Sequence, residues 1–112
     1  MTFTKEERLR KRRQFLEVYA QGEKIGGRYF FLFLLRNDLS HNRLGITVSR
    51  KVGKTVTGNL IKRRLRDIFR HNKDAIKPTC DIVVNVRKSA GYVDRASLEE
   101  DFLRTARYWV KG

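Results

Sequence analysis

The sequence holds one cysteine and no long apolar run, and each shortage closes off a class of protein. Cys80 stands alone, so neither an internal disulfide nor a cysteine zinc cage is available. It opens an apolar stretch and reads as a small buried residue rather than a nucleophile. No segment approaches the ~18 consecutive apolar residues of a membrane span, and the N-terminus MTFTKEERLRKRRQF lacks the apolar run of a signal peptide. These absences predict a cytoplasmic protein with no membrane partner. Acidic residues are also few, 12 against 26 Lys+Arg, and they are scattered, mostly singly. A metal-dependent nuclease needs carboxylates that converge on Mg²⁺, and no such grouping is visible. His41 falls in a turn, and His71 ends a basic stretch where a helix C-terminal cation belongs; neither reads as a general base. The glycine patterns of the phosphate-binding loops are missing as well. The residues describe a binder, with no catalytic or metal site of its own.

What is abundant is positive charge. At 112 residues the chain is one domain with room for a modest core, and 40% apolar content separates it from disordered tails. The formal net charge is +14, a self-repulsion that a compact domain carries for an anionic partner, nucleic acid foremost. The charge is localised. Residues 50–70 contain eight Lys/Arg against Asp67 alone, whereas residues 94–112 contain four basic and four acidic residues. The middle of the chain is therefore the binding surface, and its end a neutral structural helix.

No repeat, low-complexity tract or interior linker interrupts the chain. Thr4 and Glu7 have capping-box spacing, predicting a helix that runs towards Tyr19 and closes at Gly22. RYFFLFLLR (28–36) reads as a buried strand, NDLSHN (37–42) as a turn, and RLGITVSRKVG (43–53) as a second strand paired with the first in a hairpin. EKIGG adds a short strand before them. A basic helix follows over about residues 57–72, then the strand CDIVVNVRK (80–88). Ser97 and Glu100 repeat the capping-box spacing ahead of a last helix marked by Leu98, Phe102, Ala106 and Trp109. The order α-β-β-β-α-β-α, with one βαβ unit, predicts a single-domain α+β two-layer sandwich with one mixed sheet.

Within the basic helix, Ile61, Leu65, Ile68 and Phe69 form a core-facing stripe, while Leu60 lies more than about 90° from its centre, among arginines. The joint SRKVGKTVTGN (49–59) leaves a strand, turns at Gly53 and enters that helix. Backbone N–H groups at a helix start attract phosphate, and Lys51 and Lys54 add charge there; an ordinary glycine turn remains the alternative. Phe15, Tyr19, Phe31 and Phe33 are the remaining signal. Their pattern fits a core cluster, and it also fits an open groove on which single-stranded bases stack.

The segment RLGITVSRKVGKTVTGNLIKRRLRDIFR (43–70) strongly resembles the bacterial ribonuclease P protein family. RLRKRRQFLEVYAQG resembles the family's first helix and CDIVVNVRK the strand after its basic helix, so the likeness covers almost the whole chain. The resemblance implies a ribosomal-protein-like fold with a left-handed βαβ crossover, which the usual handedness rule would not give. It also implies the partners: the catalytic RNA of ribonuclease P, which contains the catalytic centre and binds Mg²⁺, and precursor tRNA. By position, Ser49, Arg50, Lys51, Asn59, Lys62, Arg63 and Arg66 would face the catalytic RNA, with Lys54 beside them. Phe15, Tyr19 and Phe33 would line the cleft for the 5′ leader. The protein would act as a monomer within the ribonucleoprotein.

The chain departs from the family pattern at one place. Gly58-Asn59-Leu60 stands where the family has Arg-Asn-Arg, which accounts for a leucine on the basic face. Two further readings compete: a general RNA-binding or ribosome-associated protein of the same fold, and an autonomous nuclease.

Overall fold

The computed structural model describes residues 5–48, 55–87, 89–90 and 93–111. Its elements are α1 (Arg12–Gln21), β1 (Glu23–Gly26), β2 (Phe30–Arg36), β3 (Arg43–Val48), α2 (Thr55–Asn72), β4 (Cys80–Val86) and α3 (Arg95–Lys111), with single 3-10 turns at Lys5–Glu7 and Lys73–Ala75. The four strands form one mixed sheet in the order β1-β2-β4-β3.

The expected pairing of the second and third strands does not occur. β4 lies between them, antiparallel to β2 (Phe33 opposite Val83) and parallel to β3 (Gly45 opposite Val83). The reason is burial. Six of the seven β4 residues are buried, on both of its faces, and such a strand belongs in the middle of a sheet. The antiparallel hairpin is instead β1–β2, so the EKIG stretch is a strand as expected. The 37–42 turn spans the start of β4: Asn37 N–H donates to Thr79 O (3.1 Å), Asn37 Nδ2 to Asp81 Oδ1 (2.9 Å), and Thr79 Oγ1 to Leu39 O (3.0 Å). β3, α2 and β4 form the predicted βαβ unit with parallel strands.

Strand alternation divides the side chains between two faces. Phe30, Leu32, Leu34, Ile82 and Val84 point into the main core, where Ile61, Leu65, Ile68 and Phe69 of α2 and Leu98, Phe102 and Ala106 of α3 meet them. Each such fully buried side chain contributes about 1.5–3 kcal/mol relative to exposure. The predicted α2 stripe is thus the observed one. The opposite sheet face carries α1, which buries Val18 with Val83 and Leu9 in a smaller cluster. A strictly two-layer arrangement would leave that face bare.

Both capping-box expectations shift. Thr4 lies outside the described residues, and α1 begins only at Arg12, because the preceding segment is drawn to the sheet edge: Leu9 N–H donates to Leu44 O at 3.0 Å. Gln14 does the capping, its Oε1 accepting from Arg10 N (2.8 Å) and Lys11 N (2.9 Å). At α3 the acceptor is Asp94, whose Oδ1 takes the Ser97 N–H at 2.9 Å. α3 is also tied to the sheet by Asp101, 1% exposed, which accepts from Arg28 N (2.9 Å) and Tyr29 N (2.8 Å). Asn42 does the same for the chain leaving α2: it donates to Lys73 O and Ile76 O and accepts from Cys80 N. Cys80 is buried, and burial first, then the nearby Asp81 charge, pushes its thiol up to about 12, which makes it inert as a nucleophile.

Candidate nucleic-acid interface

α2 turns its apolar stripe inward, so its cations must lie on the outer face, but they are not equivalent there. Arg64 Nη1 donates to Val93 O at 3.0 Å, which ties it to the segment before α3. Arg70 binds Asp67 one turn earlier, and Arg95 of α3 binds the same carboxylate, Nε to Oδ2 at 3.1 Å. Lys62, Arg63 and Arg66 have no acidic partner among the described residues. They are the cations an anionic ligand meets without displacing anything. Asn59, Lys62, Arg63 and Arg66 share the lining of a wide depression of ≈ 700 Å³ with Arg64, Asp67, Arg70 and Arg95.

The structure therefore brings together four of the predicted RNA-facing residues. Ser49, Arg50, Lys51 and Lys54, with Gly53 between them, lie outside the described residues. Leu60 is 40% exposed, in agreement with its place off the stripe, while Gly58 is buried and no glycine among the described residues has positive φ.

The leader-cleft residues also converge, on the α1 side of the sheet. Tyr19 and Phe33 meet edge-to-face with ring centroids 4.9 Å apart. The Tyr19 hydroxyl donates to Asn85 Oδ1 at 2.7 Å and lies 3.3 Å from Thr47 Oγ1. Phe15 extends over β3, and Gly45 is what allows it: a Cβ there would sit 2.6 Å from Phe15 Cζ. Phe15, Tyr19 and Phe33 are all half-buried, whereas Val18 carries the full burial of α1. Their rings serve both as cover for the small cluster and as an accessible wall.

Cations flank these rings. Lys24 Nζ lies 4.5 Å from the Phe31 centroid and 5.7 Å from that of Phe33, and the Arg87 guanidinium lies 4.9 Å from Phe31. Sequence reasoning missed Lys24 and Arg87, because only the register, Lys24 opposite Phe33 and Phe31 opposite Asn85, brings them beside the aromatics. A smaller hollow, lined by Arg8, Phe15, Gly45, Lys62 and Arg66 among others, joins this wall to α2. Burial, and after it the Arg8 charge, lower the Arg66 guanidinium from its ordinary value. The aromatic and basic surfaces are thus continuous, a combination suited to stacking bases and neutralising phosphates along one strand.

Among the described residues no three His, Cys, Asp or Glu side chains are placed to hold a metal ion. His41 Nε2 lies 2.8 Å from Glu6 O, and His71 Nδ1 lies 2.8 Å from Asp67 O at the end of α2. No helix among the described residues is long and apolar enough to cross a membrane.

A family model described as Ribonuclease P matches residues 3–108. The ribonuclease P protein component of Thermotoga sp. (strain RQ2) is 43% identical over 109 residues, spanning 97% of this chain and 86% of that protein. That of Thermotoga maritima is 40% identical over 110 residues, spanning 98% and 87%. Among solved structures, the ribonuclease P protein from Thermotoga maritima superposes with a TM-score of 0.82 at 40% identity, covering 90% of this chain and 96% of that one. The Staphylococcus aureus ribonuclease P protein gives 0.83 at 28% identity, with 91% and 94% covered.

Proposed function

The chain belongs to the family of bacterial ribonuclease P protein components, and we propose how it serves there: α2 seats on the catalytic RNA, and the aromatic wall beside it takes the single-stranded 5′ leader of precursor tRNA. As the protein component of an endoribonuclease, it leaves the chemistry to the RNA subunit. The observation that supports this reading best is the division of labour along α2. Arg64 is tied to the segment before α3 and Arg70 pairs with Asp67, whereas Lys62, Arg63 and Arg66 meet phosphate with no acidic partner among the described residues to displace.

Each protein cation that approaches a phosphate releases a condensed counterion, and it also relieves repulsion between RNA strands that metal ions would otherwise have to screen. Magnesium enters through the RNA. The carboxylate that lines the depression with the free cations, Asp67, is engaged by arginines, and no step passes through a metal held by this chain. Ser49, Arg50, Lys51, Lys54 and Asn59 complete the surface towards the catalytic RNA. Phe15, Tyr19 and Phe33 stack leader bases. The protein works in the cytoplasm as a monomer within the ribonucleoprotein.

Reconstitution tests the reading. The protein alone is expected to cleave no precursor tRNA, and together with catalytic RNA to lower the Mg²⁺ concentration needed for 5′ maturation. Cleavage by RNA-free protein would sink it in favour of an autonomous nuclease. Binding to ribosomal RNA as tight as to the catalytic RNA would favour a general RNA-binding role.

A further inference from the structure

We propose that Asp67 is a positioning residue of the RNA-binding surface, holding Arg70 of α2 and Arg95 of α3 as a second bank of phosphate donors beside Lys62, Arg63 and Arg66; the proposal rests on the catalytic-RNA reading above. Asp67 is the single acidic residue of α2, and it lines the same depression as those free cations. A carboxylate on a surface that receives phosphate opposes binding by plain Coulomb repulsion. Its presence there calls for a compensating task.

Its two oxygens show the task. Oδ1 accepts from Arg70, while Oδ2 accepts from Arg95 Nε at 3.1 Å and lies 2.9 Å from Arg95 Nη2. One carboxylate thus draws together guanidinium groups from two helices. Glu99 steadies the α3 side, its Oε1 accepting from Arg95 Nη1 at 3.2 Å and its Oε2 from Asn72 Nδ2 at 3.0 Å. Burial raises Asp67, but the Arg95 hydrogen bond and the charges of His71, Arg70 and Arg95 outweigh it, so the carboxyl sits below its ordinary value and stays ionised.

The clamp does not exhaust its arginines. A guanidinium has five N–H donors. Arg70 commits one to Asp67, and Arg95 keeps the second hydrogens of both terminal nitrogens. The Arg70 and Arg95 side chains remain 36% and 38% exposed at the edge of the depression. A planar fork that is already oriented loses little freedom when it meets a phosphate. The surface for RNA therefore crosses from α2 to the N-terminal turn of α3, at the start of a helix that charge counting marks as neutral.

The test is equilibrium binding of the full chain to isolated catalytic RNA, followed across salt concentrations. Asp67→Asn raises the net charge by one, so a carboxylate that merely repels RNA gives tighter binding when removed. Positioning gives the reverse: binding weaker by about threefold or more and a shallower log–log salt slope, as expected for a partly lost phosphate contact. Asp67→Glu, which keeps the charge, retains most of the affinity. Arg95→Gln flattens the slope by about 0.9 on a duplex-like site. Asp67→Asn binding as tightly as the parent or tighter overturns the proposal, as does an unchanged slope for Arg95→Gln. Should Asp67→Asn fail to fold on melting, the Arg95→Gln slope decides alone. Lys62→Ala separates the two levels: if it weakens binding while Arg95→Gln does not, only the positioning role falls. If Lys62→Ala also has no effect, the catalytic-RNA reading falls with it.

Discussion

The Tyr19 hydroxyl donates to Asn85 Oδ1 at 2.7 Å, fixing a ring of α1 over β4, an inner strand of the sheet. Tyr19→Phe keeps the edge-to-face contact with Phe33 and removes one net hydrogen bond, a loss of about 1 kcal/mol. Truncation asks more. Phe15→Ala, Tyr19→Ala and Phe33→Ala are each expected to weaken binding of leader-bearing precursor tRNA by about 1–3 kcal/mol per unstacked base. Leaderless tRNA should bind as before. Melting the variants completes the comparison: a stability loss of about 3–5 kcal/mol without leader-specific weakening returns these rings to the core.

Gly45→Ala probes the same wall from beneath. The added Cβ would meet Phe15 Cζ at 2.6 Å and Cε2 at 2.7 Å, with Leu9 Cβ at 3.1 Å, so Phe15 must move. Overpacking of this kind costs about 1–3 kcal/mol. Weaker binding of leader-bearing substrate is expected, with a smaller loss on isolated catalytic RNA, because Phe15 shares only its small hollow with Lys62 and Arg66 and does not line the wide depression on α2. Equal losses on both RNAs would show that Phe15 does not act through the leader.

Leu60→Arg places an arginine at an exposed position of α2 where the family resemblance implies one. Tighter binding to catalytic RNA is expected, with a log–log salt slope steeper by about 0.9 on a duplex-like site. Stability should hardly change. Adding Gly58→Arg is less benign, since that position is buried even though its φ is not positive. A folded Leu60→Arg variant with an unchanged slope would place residue 60 away from phosphate.

Acid should loosen the junction of α2 and α3. Hydrogen bonds from the Ser97 side chain and backbone lower Asp94 despite the opposing effect of burial, and Asp67 is lowered as described above. A carboxylate with a depressed folded pKa contributes stability that is complete above its unfolded value and lost as pH falls through its folded value. Melting temperature is therefore expected to hold near neutrality and to drop on acidification through and below about pH 4. Asp94→Asn, which keeps an N-cap acceptor, should lose part of that drop. An identical acid profile for the variant would remove Asp94 from the cause.

Much of this architecture is legible in the sequence, where local periodicity decides it. Ile61, Leu65, Ile68 and Phe69 announce α2 and all end up buried. CDIVVNV announces a strand, yet not its place in the sheet. Neighbours in sequence usually pair, and that prior misplaced β3, because it ignores the advantage of putting the doubly buried strand in the centre. Helix starts shifted for a similar reason. Thr4 with Glu7 and Ser97 with Glu100 have the right spacing, but Gln14 and Asp94 hold the hydrogen bonds, and the contact at Leu9 sets where α1 starts. The basic face is legible from charge alone. Which of its arginines are spare is not, since Arg64 is held by Val93 O, far along the chain, and Asp67, which binds Arg70, also takes Arg95 of α3.

The strand order carries a consequence for synthesis. β4 is the last strand to leave the ribosome and the one that both β2 and β3 require as a neighbour. Until residues 80–86 emerge, only the β1–β2 hairpin can close, and the apolar stripe of α2 has no finished sheet to lie on. Such long-range pairing is slow and leaves apolar surface exposed in the meantime. The most cationic stretch of the chain is therefore made before the sheet that fixes its orientation exists. Docking on RNA has to wait for the second half of the polypeptide, so a nascent or truncated chain ending before residue 80 would present the charge without the shape.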